Sequence, residues 1–279
     1  MQRSFEVEGP VELDVRLVSG EIEVDPTLDG RVDVELLAHD EESQRLVDNA
    51  RIELSPHGHR PTLVVDVPQK KGFSFTLFGR SGIECRIRCP HDSGLSVRTK
   101  SADVVARGMI GGLNIATASG DIEVDRVSGG VNVKSASSDF SAREIAGGTN
   151  IQTASGDIDI DVARGPVNVT SVSGDISIGE AYDNVSANSV SGDQDHGAVM
   201  HGVVAAHSVS GDVTIAVRQG SRAYLDCTTV SGETSSELEL SPEAPAGDGP
   251  LVEIRAKTVS GDIRITRAPA PANSQEVHA

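Results

Sequence analysis

Residues 167–180 read VNVTSVSGDISIGE, and this stretch contains both halves of a repeat that recurs along most of the chain. Its Ser-Gly-Asp signature begins at position 173. Similar triplets begin with serines spaced 18 residues apart, at positions 101, 119, 137, 155, 173 and 191. Three further copies begin at positions 210, 231 and 260, after spacings of 19, 21 and 29 residues. Self-similarity at a nearly fixed period indicates a repeat architecture.

Each repeat contains two short stretches in which apolar and polar residues alternate, as they do in half-buried strands. Val167 and Val169 precede the signature, and Ile176 and Ile178 follow it. Because one such unit cannot bury its own apolar face, we expect the units to stack. The sequence therefore predicts an all-β protein, a single-stranded parallel β-solenoid (β-helix) with about 18 residues per coil. The preference of parallel β crossovers favours a right-handed coil.

The remainder of the chain divides around these coils. We predict a β-rich N-terminal cap over residues 1–90, with one short helix near 40–50, where the sequence DEESQRLVDNA is acidic at its start. The β-solenoid is expected over residues 91–267, with a loop inserted before the last coil at 241–250. Residues 268–279 are expected to form a disordered tail.

These patterns resemble those of a bacterial β-strand-repeat family of unknown function whose members carry the label putative adhesin. The similarity is carried by VNVTSVSGDISIGE, by the closing stretch VEIRAKTVSGDIRITRA at 252–268, and by the insert QKKGFSFTLFGRSG at 69–82. The chain is most similar to the actinobacterial type with Ser-Gly-Asp coils. The resemblance implies a non-enzymatic solenoid, with some relatives linked to envelope-stress systems, and it transfers no catalytic residues.

Composition narrows the classes of function. The formal charge is −18, which argues against generic nucleic-acid binding because phosphate contacts need Lys and Arg. The chain contains no G-x-S-x-G elbow, P-loop, H-E-x-x-H or C-x-x-C motif, so we expect no enzyme, no cofactor and no bound metal. No secretory signal is visible, and three cysteines cannot form a closed set of disulfides. A cytoplasmic location, peripheral to the membrane, is therefore expected.

One zone of the chain is basic. Residues 51–110 carry a net charge of +5, between segments of −10 (1–50) and −13 (111–279). Three of the five phenylalanines lie within this zone. The candidate residues for contact with a protein partner or a membrane surface are Lys70, Lys71, Phe73, Phe75, Phe78, Arg80, Arg86 and Arg88. Alternatively, the rings face inward and plug the open end of the solenoid. Apolar rings bracketed by cations suit a membrane interface.

A row of aspartates occupies one position of the repeat. Its core members are Asp121, Asp139, Asp157, Asp175 and Asp193. Stacked carboxylates repel one another by about 1 kcal/mol per neighbouring pair in water, so something must offset this repulsion. Ca²⁺ between coils is one explanation. The favoured alternative is that each carboxylate accepts hydrogen bonds from turn N–H groups.

The coil that begins at Ser191 departs from the pattern. Gln194 and His196 occupy positions that are Ile or Val in most other coils, and His201 and His207 follow. Asp193 and Asp195 lie nearby and suggest a zinc site or a Ser-His-Asp arrangement, but the spacings match no ligand motif, and the three histidines lie at different places around the coil. We therefore expect a frayed or bulged coil here.

Together these features predict a non-enzymatic structural or interaction solenoid that serves the cell envelope through its basic, Phe-rich segment. The alternative is a self-assembling scaffold in which exposed sheet edges at the ends of solenoids associate. A Ca²⁺-binding solenoid and a carbohydrate-active β-helix are more remote alternatives.

Overall fold

A computed structural model describes residues 1–56, 60–68, 82–238 and 249–268, and within these ranges most residues lie in β-strands, with one short helix. The N-terminal elements are β1 (Gln2–Glu6), β2 (Glu12–Arg16), β3 (Ser19–Asp25), β4 (Arg31–Ala38), α1 (Glu41–Asp48), β5 (Arg51–Ser55), β6 (Thr62–Asp66) and β7 (Ile83–Arg88). The helix begins after Asp40, whose carboxylate accepts a hydrogen bond from the Ser43 N–H at 2.8 Å, as an N-cap does.

The repeats supply the remaining strands in alternating order. The first of these strands are β8 (Gly94–Arg98), β9 (Ser101–Ile110), β10 (Gly112–Ala116), β11 (Ile122–Val127), β12 (Val131–Lys134), β13 (Phe140–Ile145), β14 (Thr149–Ser155), β15 (Ile158–Ala163) and β16 (Val167–Ser173). They are followed by β17 (Ile176–Ala181), β18 (Val185–Asn188), β19 (Gln194–Val199), β20 (Gly202–His207), β21 (Val213–Val217), β22 (Arg222–Ser231), β23 (Thr234–Ser236), β24 (Leu251–Ser260) and β25 (Ile263–Arg267).

Two long sheets face each other, and each repeat contributes one strand to each of them. The 13-stranded sheet contains the strands that follow the Ser-Gly-Asp signatures, and the 12-stranded sheet contains those that precede them. Neighbouring repeats pair in parallel, with Leu113 opposite Val131 and Ile122 opposite Phe140. The inward-facing Ile, Val, Leu and Ala side chains form a continuous buried core. The fold is therefore all-β with long parallel sheets, as predicted.

At the N-terminal end, the order of strands in space differs from their order in the sequence. Strands β2 and β3 lie between the β6–β7 pair and the β8–β9 pair, so residues 12–25 extend both sheets. Beyond β6 and β7 the pairing becomes antiparallel, through β5 on one sheet and through β4 and β1 on the other. The helix α1 packs against β4. Antiparallel strands therefore cover this end of both sheets.

At the C-terminal end, too, the order of strands in space differs from their order in the sequence, but here the edge strands run parallel to their neighbours. Strands β24 and β25, the last in the sequence, lie between the β20–β21 pair and the β22–β23 pair. Both β22 and β23 pair in parallel with their single neighbours and form the edges of the two sheets among the described residues.

Tight turns at the signature allow successive repeats to approach closely. Gly174 has φ +123°, and a Cβ atom at this position would collide with the carbonyl oxygen of Gly156 in the preceding repeat. Glycine is needed here both for its backbone conformation and for its lack of a side chain. Within the described ranges, no helix has the length and apolar character needed to cross a bilayer.

Candidate interaction site

The aspartates of the signature form a ladder of hydrogen bonds along one corner of the rod, between the two sheets. The Asp157 carboxylate accepts a hydrogen bond from the Asp175 N–H at 2.8 Å, and its own N–H donates to the Asp139 carboxylate at 2.9 Å. The same bond joins each successive member of the row Asp103, Asp121, Asp139, Asp157, Asp175, Asp193, Asp212, Asp262 and Glu233. We call these nine residues the acidic row. Backbone donors thus offset the repulsion between stacked carboxylates.

A second ladder follows the outer face of the 12-stranded sheet. Asn132 donates a side-chain hydrogen bond to Asn114 at 2.9 Å, and Asn150 and Asn168 continue the series at 3.0 Å each. Position 186 carries Ser186, which ends the row. The amide groups satisfy one another, so this face holds its neighbouring repeats in register.

An apolar row lies beside the acidic row on the same corner. Each member directly precedes the serine of a signature, and those serines pair with one another along the rod. The members are Val172 (51% exposed), Val190 (48%), Val209 (49%), Val259 (50%) and Val230 (79%), in spatial order. We call them the valine row. At about 4.8 Å per repeat they form a ridge roughly 19 Å long.

The valine row is restricted to the C-terminal half of the rod. The equivalent positions in three earlier repeats carry Ala118, Ala136 and Ala154, which are also exposed but present less apolar surface. An exposed apolar strip with a polar border is typical of a protein interaction site. The sequence contained the signal for this strip, since valine recurs before the serine.

The predicted basic contact segment is described only in part. Lys70, Lys71, Phe73, Phe75, Phe78 and Arg80 lie outside the described residues. Arg86 and Arg88 lie on β7 with exposed guanidinium groups.

Both of these arginines are engaged in ion pairs within the chain. The Arg86 guanidinium lies 2.5 Å from the Glu84 carboxylate and 3.5 Å from that of Glu23. The Arg88 guanidinium lies 3.4 Å from the buried Asp33 carboxylate. Nearby carboxylates therefore balance much of the positive charge on β7.

The repeat that begins at Ser191 forms the regular strand β19, and its two polar residues at apolar positions are buried. Gln194 and His196 are 1% and 0% exposed, opposite Ile176 and Ile178 of the preceding repeat. The strand is therefore not frayed, although its register with β21 shifts after His196. The Gln194 amide donates at 2.9 Å to the Ser189 hydroxyl and to the His207 carbonyl.

The His196 side chain lies in the core and is fully buried. Neither ring nitrogen has a hydrogen-bond partner in the structure, and burial lowers the pKa of His196 to about 4. Across the described part of the chain, no group of three or more His, Cys, Asp or Glu side chains is arranged to hold a metal ion.

The comparisons with known proteins identify a family. The family model described as Toastrack DUF4097 matches residues 11–266. No match is found among curated proteins.

Solved structures of similar proteins include two from Bacteroides fragilis and Parabacteroides distasonis. A putative adhesin from Bacteroides fragilis is 17% identical, with a TM-score of 0.45, covering 95% of this chain and 96% of that one. A putative lipid binding protein from Parabacteroides distasonis is 14% identical, with a TM-score of 0.43 and 96% of both chains covered.

Proposed function

Because the chain belongs to the Toastrack DUF4097 family, we propose that it acts as a non-enzymatic, adhesin-like interaction rod that binds a protein partner along its signature corner. One observation supports this proposal above the others, namely the five exposed valines in line beside the acidic row. Apolar burial would supply affinity, and the carboxylates would select a partner segment with basic residues beside apolar ones.

The stacked repeats suit this role because they make the corner straight and periodic. The aspartate ladder ties each of these repeats to the next, so the valines are held at a constant spacing before any partner binds. Such preorganisation lowers the entropy lost on association. We further propose the finer geometry predicted above, a right-handed coil of about 18 residues.

Site-specific photo-cross-linking in cells of the source organism tests the corner. A photoreactive phenylalanine analogue replaces Val190, and in a matched control it replaces Ala146, which is exposed at the opposite corner of the rod. We expect a discrete adduct from position 190 alone. This adduct should disappear when Val172 and Val209 are changed to serine. Equal adducts from both positions would contradict the proposal.

A second candidate function rests on the basic, Phe-rich segment between Lys70 and Arg88. We propose that this segment contacts an anionic membrane surface, and that the protein is cytoplasmic and peripheral to the membrane. Three phenylalanines flanked by Lys70, Lys71 and Arg80 support it.

Liposome flotation at low and physiological salt compares the wild type with a Phe73/Phe75/Phe78→Ser variant whose fold is checked by circular dichroism. Flotation of the wild type alone would favour membrane contact. If neither protein floats and the variant unfolds, the rings serve as a plug in the solenoid.

A further inference from the structure

The C-terminal end of the 12-stranded sheet is formed by β22, a ten-residue edge strand. The Arg222 N–H donates to the Pro250 carbonyl at 2.9 Å, toward the interior of the sheet. Successive residues of a strand direct their backbone groups to opposite sides. The N–H and C=O groups of Ala223, Leu225 and Cys227 therefore point away from the rod.

In the internal repeats, the equivalent backbone groups form hydrogen bonds to the strand of the next repeat. Leu113 occupies the position equivalent to Leu225, and its N–H donates at 3.0 Å to the Gly130 carbonyl of the next repeat. At Leu225 the described residues provide no next strand. The edge strand thus presents a row of outward-pointing backbone donors and acceptors, which is a template for another strand.

The core is also incompletely covered at this end. Ala223, Leu225 and Cys227 point inward but are only partly buried. Their partners one strand deeper, Val252, Ile254 and Ala256, are all 0% exposed. An additional strand paired with β22 would cover apolar surface in addition to completing the ladder.

We propose that β22 pairs with β22 of a second copy of this chain, so that two rods join end to end through a two-fold axis. Identical edge strands related by such an axis must run antiparallel. A two-fold interface uses the β22 edge of both copies, so this contact closes at two copies and does not itself extend into a filament.

Charge favours a register in which Arg222, whose Nε also donates to the Gly249 carbonyl of its own chain at 2.9 Å, meets an acidic residue of the second copy. With the axis at Tyr224, Arg222 lies opposite Asp226 of the second copy, and the pair occurs twice. Moving the axis to Asp226 would place two aspartates opposite each other, which is unfavourable. The outward-facing Tyr224 side chain, 55% exposed, would meet its own copy at the axis. With the axis at Tyr224, only residues 222–226 of the two β22 strands oppose each other, so the paired segment does not include Val230, the one member of the valine row on β22. The pairing can therefore fail or succeed independently of the proposed function.

Sedimentation velocity over a range of protein concentrations tests the association. We expect a monomer–dimer equilibrium that Arg222→Asp or Asp226→Arg weakens about tenfold, and that the double variant restores. Circular dichroism checks that each variant is folded. A chain that stays monomeric, or a dimer that tolerates both single reversals, would overturn the proposal.

Disulfide cross-linking tests the register. In a Cys227→Ser background, Tyr224→Cys places two thiols in a directly opposed pair with Cα atoms about 4.5 Å apart, within reach of a disulfide. The matched control Thr228→Cys would hold its thiols roughly 26 Å apart. We expect oxidised dimer from position 224 only, and equal yields from both positions would overturn the register.

Hydrogen exchange distinguishes a second copy from coverage of the edge by the chain itself. The amides of Ala223 and Leu225 should be protected in the dimer and exchange rapidly in dilute monomer. Slow exchange in a monomer would mean that the chain covers its own edge, and the proposal would be wrong.

Discussion

The carboxylate of Asp157 accepts a hydrogen bond from the backbone N–H of Asp175, its counterpart in the next repeat, at 2.8 Å. This contact converts a row of like charges into a series of charge-assisted hydrogen bonds. Each aspartate is both an acceptor through its side chain and a donor through its backbone. The row therefore has a structural role that requires no cation.

Substitution of Asp157 tests this role. Asp157→Ala should lower the free energy of unfolding by about 1 kcal/mol, because the Asp175 N–H loses its acceptor. Asp157→Asn retains an acceptor oxygen and removes one of the mutually repelling charges, so it should change stability by less than about 0.5 kcal/mol. Urea denaturation followed by circular dichroism measures both. An equal loss in the two variants would show that the charge itself is needed, as it would be for a bound cation.

Gly174→Ala should destabilise the protein by at least ~2 kcal/mol, because alanine is strained at φ +123° and its Cβ would collide with the preceding repeat. Gly9→Ala is the matched control, since a Cβ atom at Gly9 meets nothing within 4 Å. Thermal unfolding of the two variants beside the wild type gives the comparison. A similar melting temperature for both variants would contradict the close packing of successive turns.

His196 should make stability depend on pH. Its pKa is lowered by burial to about 4 in the folded chain, whereas in the unfolded chain it returns to near 6.5. Between pH 4 and pH 6.5 only the unfolded state binds the proton, so the free energy of unfolding falls as the pH is lowered through this range. The stability present above pH 6.5 is lost toward pH 4, and the loss amounts to roughly 3 kcal/mol at most.

The variant His196→Ile isolates this contribution, because the neighbouring repeats carry Ile178 and Ile215 at the same position. The variant should be more stable than the wild type, and the difference should grow as pH falls from 6.5 to 4. The exposed His201→Gln serves as the control. Denaturation at several pH values measures the differences, and a constant difference would show that His196 does not titrate in this range.

The three cysteines should react very differently with a thiol reagent. Burial raises the pKa of Cys85 to about 12 and that of Cys89 to about 11, so neither forms a thiolate readily. Cys227 lies on the edge strand β22 and is only partly buried. At low protein concentration, native protein should therefore label once, and Cys227→Ser should abolish that labelling. Rapid labelling of all three thiols without denaturant would contradict the burial of Cys85 and Cys89.

Much of the fold could be predicted because the repeat is local and exact. The spacing of 18 residues brings equivalent positions together, so the apolar residues around Ile176 and the aspartates of the signature could be aligned by counting. The ion pairs of Arg86 and Arg88 could not be predicted in this way. Their partners Glu23 and Asp33 are more than 50 residues away in the sequence and meet them only through strand pairing.

By itself, the sequence determined that the chain folds as all-β repeats with a parallel arrangement, because alternating apolar residues at a constant period can be buried only by stacking. Only the tertiary structure decided the order of the terminal repeats. Strands β2–β3 and β24–β25 insert between repeats that are not their neighbours in the sequence, leaving β22 at one edge. Strands of similar pattern can pair in several orders. The order is selected by packing and hydrogen bonding between distant segments, which local periodicity does not encode.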